Sequence, residues 1–473
     1  MPVANVAVGP GRRTGQDIEG KGTVRPHILK GFRDYLPAEM LLRQRIIGDF
    51  RSLFERHGYE PLDTPAIEYI DTLTGKAGEN EKLMYRFMDA GEREVGLRYD
   101  LTVPLARVAA MHQNDLPMPF KRYHIAPVWR AEKPQRGRFR EFWQCDADVV
   151  GSASSLADTE HIAMAVEAMV GLGLPGFRVR VNHRAVLEGI ARHAGVPADR
   201  AVGVYRSIDK LDKVGRDGVH GSLVESGIDE GAAGRVLDLT SLDGAPDHVL
   251  ATLRGRMAGD EAVLVALGRL EEIFSAVGAF GVPVARVTLD LSLARGLDYY
   301  TGAVFEAVVE RPRVGSIAGG GRYDGLIGSM SGQAVPATGI SLGLERIIEV
   351  VREFELVTVP TTTALTFVAH VPATRSAAIG AATALRAATI PTDLSLLGHR
   401  GIGDQLKYAS RKGIPLGVIF GKDESDAGEA LVRDLATSEQ RRVPLDGVVD
   451  AVRDMLGRDD GRVDVAAVAA FAE

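Results

Sequence analysis

From Arg136 to Gln144 the chain alternates polar and apolar residues at period two. Such alternation reads as extended chain with one face buried. Two strands are predicted, near 121–130 and near 137–148, with Pro134, Gln135, Arg136 and Gly137 as the loop between them. A second hairpin is predicted at 83–88 and 94–100, around a turn over 89–92. Strands that outnumber helices and join through hairpins specify an antiparallel sheet, hence an α+β domain rather than a doubly wound one.

The same segment carries unusual charge. The chain has 473 residues and a net charge of −7, which argues against nonspecific nucleic-acid binding. From Lys121 to Arg140, however, seven basic residues face one acid, Glu132, a local balance of +6. Both tryptophans, Trp129 and Trp143, and the single cysteine, Cys145, lie in or beside this stretch. A basic cluster is usually a solvated face. Here Arg136, Arg138, Arg140 and Gln144 alternate with apolar residues, as expected of a strand that lays arginines under an anionic ligand. Period two sends Cys145 to the opposite face, as a packed thiol rather than a nucleophile. One cysteine also rules out an internal disulfide and a Cys-rich zinc site.

This length suggests two to four domains. Residues 1–25 read as a disordered extension, in which Asp17, Glu19 and the lack of an apolar core argue against a targeting peptide. No apolar run approaches the ~18 residues of a membrane span. Ile46, Ile47, Phe50, Leu53 and Phe54 make one stripe of a helix over 39–57, stopped by Gly58 and followed by a strand over 59–65 closed by proline. Helices are predicted over 103–112, 156–172 and 184–194. Residues 195–275 turn helical, acidic and glycine-punctuated, as an inserted subdomain. Strands resume at 286–293 and 303–309, a glycine-dense turn follows over 315–321, and 338–346 leads a strand into a helix. Thr358 to Thr363 has linker composition, and 364–456 alternates strands and helices as a small α/β domain. The rest of the chain, 26–194 and 276–357, would then be one catalytic domain, and 457–473 a tail.

Taken together, these motifs resemble the class II aminoacyl-tRNA synthetases, and within them the histidyl-tRNA synthetase family, over about 31–456. Lys30-Gly-Phe-Arg-Asp34 is similar to the family's opening. The helix–strand unit ending at Pro65 resembles motif 1, Phe120 to Asp148 motif 2, and Gly339 to Arg346 motif 3. Each motif alone is loose. More specific are Arg295-Gly-Leu-Asp-Tyr-Tyr300 and Gly319-Gly-Gly-Arg-Tyr-Asp324, which resemble the family's two histidine-binding signatures. The resemblance implies an antiparallel-sheet catalytic domain with a helical insertion, plus a C-terminal α/β anticodon-binding domain. It also implies a cytoplasmic homodimer that uses L-histidine, ATP, Mg²⁺ and tRNA(His).

The implied chemistry joins a carboxylate to the α-phosphate of ATP, so two anions must be neutralised and aligned; arginine forks suit both. By resemblance Arg130 binds the substrate carboxylate and α-phosphate, and Arg138 the γ-phosphate. Phe142 and Arg346 sandwich the adenine. Glu132 meets either the adenine amino group or a Mg²⁺-bound water. Arg295 reaches the α-phosphate from the other side, as the residue most concerned with catalysis; the plain alternative is a strand-end arginine paired with Asp298. Asp100, Thr102 and Gln144 match acceptors for the histidine ammonium, and Asp148 and Tyr300 match groups that hold an imidazole N–H. Asp100 and Asp148 stand where the family often has glutamate. Tyr299 and Tyr323 are pocket walls, though core packing accounts for each tyrosine nearly as well. Gly319, Gly320 and Gly321 lack a dinucleotide-loop context and suit close backbone approach to substrate. Gln135 and Arg136, in the loop, would either contact the tRNA acceptor end or only cover the site, and the resemblance implies that the insertion clamps the acceptor stem. Lys407, Arg411 and Lys412 share a helical face that would meet tRNA phosphates or be merely solvated.

Three other readings compete. A catalytically inactive regulatory relative in histidine biosynthesis would have lost motif residues and the C-terminal domain, yet Arg130, Gln144, Arg295 and Arg346 are all here. A synthetase for another amino acid would lack the two histidine signatures. A pure RNA-binding module would not need the pocket constellation, and residues 361–453 are nearly neutral, with 11 basic and 10 acidic residues.

Overall fold

The computed structural model describes residues 25–74, 78–295 and 299–457. The extension read over 1–25 and the tail over 457–473 therefore fall almost wholly outside the described residues, as does Asp298. Eight strands form the main sheet: β1 (Glu60–Pro61), β2 (Phe120–Trp129), β3 (Glu141–Val150), β4 (Phe177–His183), β5 (Val287–Leu289), β6 (Ala303–Val309), β7 (Ser316–Arg322) and β8 (Ala337–Gly343). Their order is β1-β2-β3-β8-β7-β6-β4-β5. The six central strands are antiparallel to their neighbours, and each edge strand adds in parallel. The α+β expectation holds.

The central hairpin has the expected partners, with Phe120 opposite Val150 and Trp129 opposite Glu141. Its second strand starts later than the alternation suggests. Gly137 takes φ +67°, and Gln135 and Arg138 exchange backbone hydrogen bonds across a tight turn. Residues 136–140 are therefore loop, and the expected floor of arginines does not form. Arg140 instead bonds the carbonyls of Glu132 and Lys30, tying the loop to the N-terminal segment.

Two further expectations change. Residues 315–321 are not a turn, since β7 runs through the sheet between β8 and β6. A Cβ on Gly320 would strike the carbonyl of Gly339 and the ring of Phe305. The sheet's own packing, rather than a ligand, excludes a side chain there. Gly319 is the one of the three whose added Cβ would meet nothing closer than Ser316 Oγ at 3.7 Å. The strand β4, unforeseen in the sequence, pairs with β6 and carries Arg180 into the sheet.

Helix α1 (Pro37–Arg56) starts on a proline whose fixed φ suits the first turn. It buries Ile46, Ile47, Phe50, Leu53 and Phe54 in the main core, as their spacing predicts. Helices α2 (Thr102–Met111) and α3 (Ser155–Gly171) flank the sheet, and α4 (Leu344–Glu353) continues directly from β8. The helical stretch over 195–275 divides by its packing. Helices Ala201–Ile208, Leu211–Glu225 and Glu230–Thr240 share a core of their own around Val204, Leu223 and Leu237. Helices Pro246–Arg256 and Glu261–Val277 bury Leu253, Leu267 and Leu270 in the main core instead. Strands Ile67–Tyr69, Arg86–Met88 and Glu94–Leu97 make a separate three-stranded sheet.

At the C-terminus β9 (Thr366–His370), β10 (Thr392–Leu394), β11 (Leu416–Phe420), β12 (Glu429–Asp434) and β13 (Gln440–Pro444) form a mixed sheet in the order β10-β9-β11-β12-β13. The last two strands carry no apolar run long enough to have been read from sequence.

Candidate active site

Residues paired across neighbouring antiparallel strands point to the same face. The register therefore lays side chains in rungs. Arg122, Asp148, Gly339 and Gly321 make one rung. His124, Asp146, Ser341, Gly319, Glu306 and Arg180 make the next. Ala126, Gln144 and Gly343 form the third, followed by Val128 and Phe142. The bare position at Gly319 leaves a gap between Ser341 and Glu306.

A cavity of about 580 Å³ opens over this floor. Asp100, Thr102, Arg130, Glu132, Arg138, Phe142, Gln144, Asp148, Arg295, Tyr299, Tyr300, Tyr323 and Arg346 all line it. Residues separated by up to 246 positions are thus brought to one volume. Gln135, Arg136, Lys407, Arg411 and Lys412 lie outside it.

The acidic end is built on burial. Asp148 is 2% exposed, with Arg122 Nη2 at 2.8 Å from its Oδ2 and the Tyr323 hydroxyl donating to its Oδ1 at 2.5 Å. Burial raises its pKa, and Arg122 and Tyr323 oppose the rise. Asp146, one rung along, is pushed up to about 7 by burial, with Asp148 adding to the rise and Arg122 opposing it. Gln144 donates from Nε2 to Ser341 Oγ at 2.9 Å, and its Oε1 is buried without a hydrogen-bond partner. Asp100 accepts from the backbone N–H of Thr102 and Val103, so it caps the first turn of α2 while facing the cavity. Tyr299 and Tyr300 bring their hydroxyls within 3.4 Å, and burial raises the pKa of both. Tyr323 is 1% exposed and packs edge-on to Tyr299; its main contact is its bond to Asp148.

The opposite end gathers four guanidinium groups: Arg130, Arg138, Arg295 and Arg346. Burial and, after it, the positive charges of Arg138, Arg295 and Arg130 together lower the pKa of Arg346 to about 10. Mutually repelling cations held around one cavity are a site for a polyanion. Arg130 donates to the Tyr99 carbonyl and lies over both the Tyr99 and Phe142 rings, at 4.3 and 5.0 Å. Arg138 pairs with Glu132 at 2.9 Å, so Glu132 is engaged by an arginine here. Arg346 donates to the Ser316 carbonyl.

Arg295 does not stand alone. It lies 3.0 Å from Glu306 and 3.4 Å from Asp209, with 47% of its side chain exposed. Glu306 is 4% exposed and is shared with Arg180. Asp209 belongs to the helical stretch, so that stretch reaches the site directly. The plain alternative of a pair with Asp298 lies outside the described residues.

The remaining candidates sit elsewhere. Arg136 bonds Glu349 and Glu353 on α4, at 3.0 Å each, which pins the loop tip beside Gln135 to that helix. On the C-terminal helix Ile402–Lys412, Lys407 pairs loosely with Asp404, and Lys412 is held by Asp393 at 2.7 Å. Lys412 is thereby committed within its own domain. Arg411 lines a second cavity of about 280 Å³ with Arg400 and Tyr408. Cys145 is fully buried in the main core, where burial raises its pKa well above the usual thiol value.

Sequence reasoning missed Arg122, Asp146, Glu306 and Ser341. Asp146 lay between Gln144 and Asp148 on the same alternating face and was legible. Glu306 is the lone acid in the apolar run 303–309, and such an isolated charge in a buried strand is itself a signal. Arg122 and Ser341 carried no such mark, since only the register places them.

Residues 31–347 match the family model for histidyl-tRNA synthetase, and residues 359–455 match that for an anticodon binding domain. A histidine–tRNA ligase of Aeropyrum pernix is 44% identical over 438 residues, covering 91% of this chain and 99% of its own. One from Rhodopirellula baltica is 40% identical over 439 residues, with 91% and 99% covered. The crystal structure of histidyl-tRNA synthetase from Nostoc sp. PCC 7120 matches with a TM-score of 0.81 at 31% identity, over 92% of this chain and 100% of that one. Likeness of this depth runs through the sheet, the cavity and the C-terminal domain alike, and by it the chain belongs to the histidyl-tRNA synthetase family.

Proposed function

We propose that this chain is a histidine–tRNA ligase that activates L-histidine with ATP to histidyl-adenylate, releasing pyrophosphate, and passes the histidyl group to the 3′ end of tRNA(His). The observation that carries the reading is the two-ended cavity. Carboxyl groups and a bare acceptor at one end suit an ammonium and an imidazole; four arginines at the other suit a triphosphate. Asp100, Thr102 and Gln144 would hold the ammonium, and Asp148 with Tyr300 the imidazole. Tyr299 and Tyr323 would wall that end. Arg130 and Arg295 would flank the reacting carboxylate and α-phosphate, Arg138 the γ-phosphate, and Phe142 with Arg346 the adenine. The regulatory alternative explains neither the four retained arginines nor the anticodon-type domain.

Among the described residues no three His, Cys, Asp or Glu side chains gather to hold a metal ion. Glu132 and Glu306 are taken by arginines. Mg²⁺ needs at most one or two carboxylates besides the triphosphate oxygens, on which it would enter. No helix among the described residues is long and apolar enough to cross a membrane.

Histidine-dependent exchange of pyrophosphate into ATP tests the activity, and charging of tRNA(His) tests the second step. Exchange is expected with histidine alone among the amino acids. Exchange driven by a different amino acid would overturn the specificity, and none at all would return the regulatory reading. The helical stretch and Gln135, Arg136, Lys407 and Arg411 are proposed to contact tRNA, with 26–194 and 276–357 as the catalytic unit and 364–456 as the anticodon unit.

A homodimer is proposed on α1 and the three-stranded sheet. Ile67, Tyr69 and Phe87 share one face of that sheet and expose 47%, 54% and 42% of their surface, apolar area that association would cover. Light scattering on the full chain is expected to give twice the monomer mass. Replacing Tyr69 and Phe87 by lysine is expected to give monomer, and an unchanged mass would place the interface elsewhere.

A further inference from the structure

We infer that Asp209 is a positioning residue for adenylate formation. With Glu306 it holds one edge of the Arg295 guanidinium, so that the fork at the other end faces the phosphate. The helical insertion thereby takes part in activating the amino acid. This rests on the reading of Arg295 as the arginine that meets the α-phosphate.

Asp209 stands where local structure gives an acid no reason to be. It is the C-cap of helix Ala201–Ile208, the end at which the helix dipole disfavours negative charge. Asp212 lies in the first turn of helix Leu211–Glu225, where the same dipole favours an acid. What Asp209 meets is Arg295, whose Nε lies 3.4 Å from its Oδ1. The insertion also grips the chain beside Arg295. Ala294 is buried in the insertion's own core together with Val204, Tyr205 and Ile208. Backbone and side-chain tip at this point are thus both referred to the insertion.

A guanidinium is planar and sets its five N–H groups in a fixed fork. Nε and Nη2 share one edge, and Nη1 with Nη2 forms the end. Asp209 is at Nε, and Glu306 Oε1 lies 3.0 Å from Nη2, so the two acids lie along the same edge. Among the described residues none makes an ion pair through Nη1. The end of the fork stays open for two parallel bonds to a phosphate. Asp209 therefore does not compete with the phosphate for the same N–H groups. It removes beforehand part of the freedom that a long side chain loses on meeting its ligand. Glu306 alone is a weaker guide, because it is shared with Arg180 at 3.7 Å and touches Arg295 at one nitrogen only.

Single-turnover adenylate formation by the full-length chain, with equilibrium histidine binding beside it, separates positioning from packing. Asp209→Asn keeps the shape and removes the charge. It is expected to slow adenylate formation about 3- to 5-fold, the upper range for a partly exposed ion pair, and to leave histidine binding within about 1.5-fold. Asp209→Glu keeps the charge and should hold the rate within about 1.5-fold of the unaltered chain. In an Arg295→Ala background Asp209→Asn should cost nothing further, because the group it positions is gone. Asp212→Asn controls for docking of the same turn. Asp212 accepts from Arg180 at 2.8 Å, but Arg180 is also held by Asp290 and Ser292. Losing the Asp212 charge should therefore move the rate by no more than about 1.5-fold.

Faster adenylate formation in Asp209→Asn would show that the acid draws Arg295 away from the phosphate, and would overturn the proposal. So would equal losses with and without Arg295, or matching losses from Asp209→Asn and Asp212→Asn, either of which reduces Asp209 to a docking contact. An unchanged rate in Arg295→Ala by itself would instead sink the assignment of Arg295, a result read before Asp209 is altered.

Discussion

Replacing Arg295 by alanine is expected to slow adenylate formation by roughly 100- to 1000-fold, the usual cost of removing one group that stabilises transition-state charge. Histidine binding should change by only a few-fold. The reason is geometric. Arg295 is set at the boundary between the acidic and basic ends, against Glu306 at 3.0 Å and Asp209 at 3.4 Å. Its 47% exposure leaves the guanidinium free to turn toward an incoming phosphate, while buried Glu306 keeps it on the correct side of the cavity. A carboxylate attacking a phosphate concentrates negative charge between two anions, and a fixed cation there acts on the transition state more than on either reactant. Single-turnover adenylate formation together with equilibrium histidine binding separates the two effects. Comparable losses in both would show that Arg295 is mainly a binding residue.

Glu345→Ala is expected to destabilise the catalytic domain by about 3–5 kcal/mol, because it strands a buried charge. Arg43 on α1 is fully buried and bonds Glu345 twice, at 2.6 and 2.9 Å. Glu345 also accepts from the Trp143 backbone N–H and pairs with Arg33. One carboxylate therefore joins the N-terminal helix, the central hairpin and the start of α4, next to Arg346. Both tryptophans lie in this region, so their fluorescence during chemical unfolding reports the relevant transition. The paired replacement Arg43→Met with Glu345→Leu should recover much of the loss, since apolar groups of similar volume often replace a buried ion pair without penalty. A loss below about 1 kcal/mol for the single variant would show that water or a shifted side chain compensates Arg43.

The mistakes of sequence reading have a common origin. Alternation was projected through 136–140, but it reports face preference only while the chain stays extended. The left-handed Gly137 ends that condition. Glycine density over 315–321 suggested a turn, because glycine's freedom is usually spent on one. In β7 it serves close packing between strands, a need set by neighbours far away in sequence. The stretch over 195–275 looked uniform in composition, yet two of its helices belong to the main core. Composition does not record which apolar surface a helix meets.

The sequence by itself determined the hairpin and the α+β class, and it carried the motifs whose arginines and acids line much of the cavity, though not Asp146 and Glu306. These follow from local periodicity and from motifs read along one strand or one turn. Only the tertiary structure decided how they pair. Arg122 neutralises Asp148, Glu306 holds Arg295, and Ser341 meets Gln144 because the register of β2, β3, β8, β7 and β6 sets them in shared rungs. Register is a relation between strands, and a shift by one residue would turn every one of these side chains to the other face.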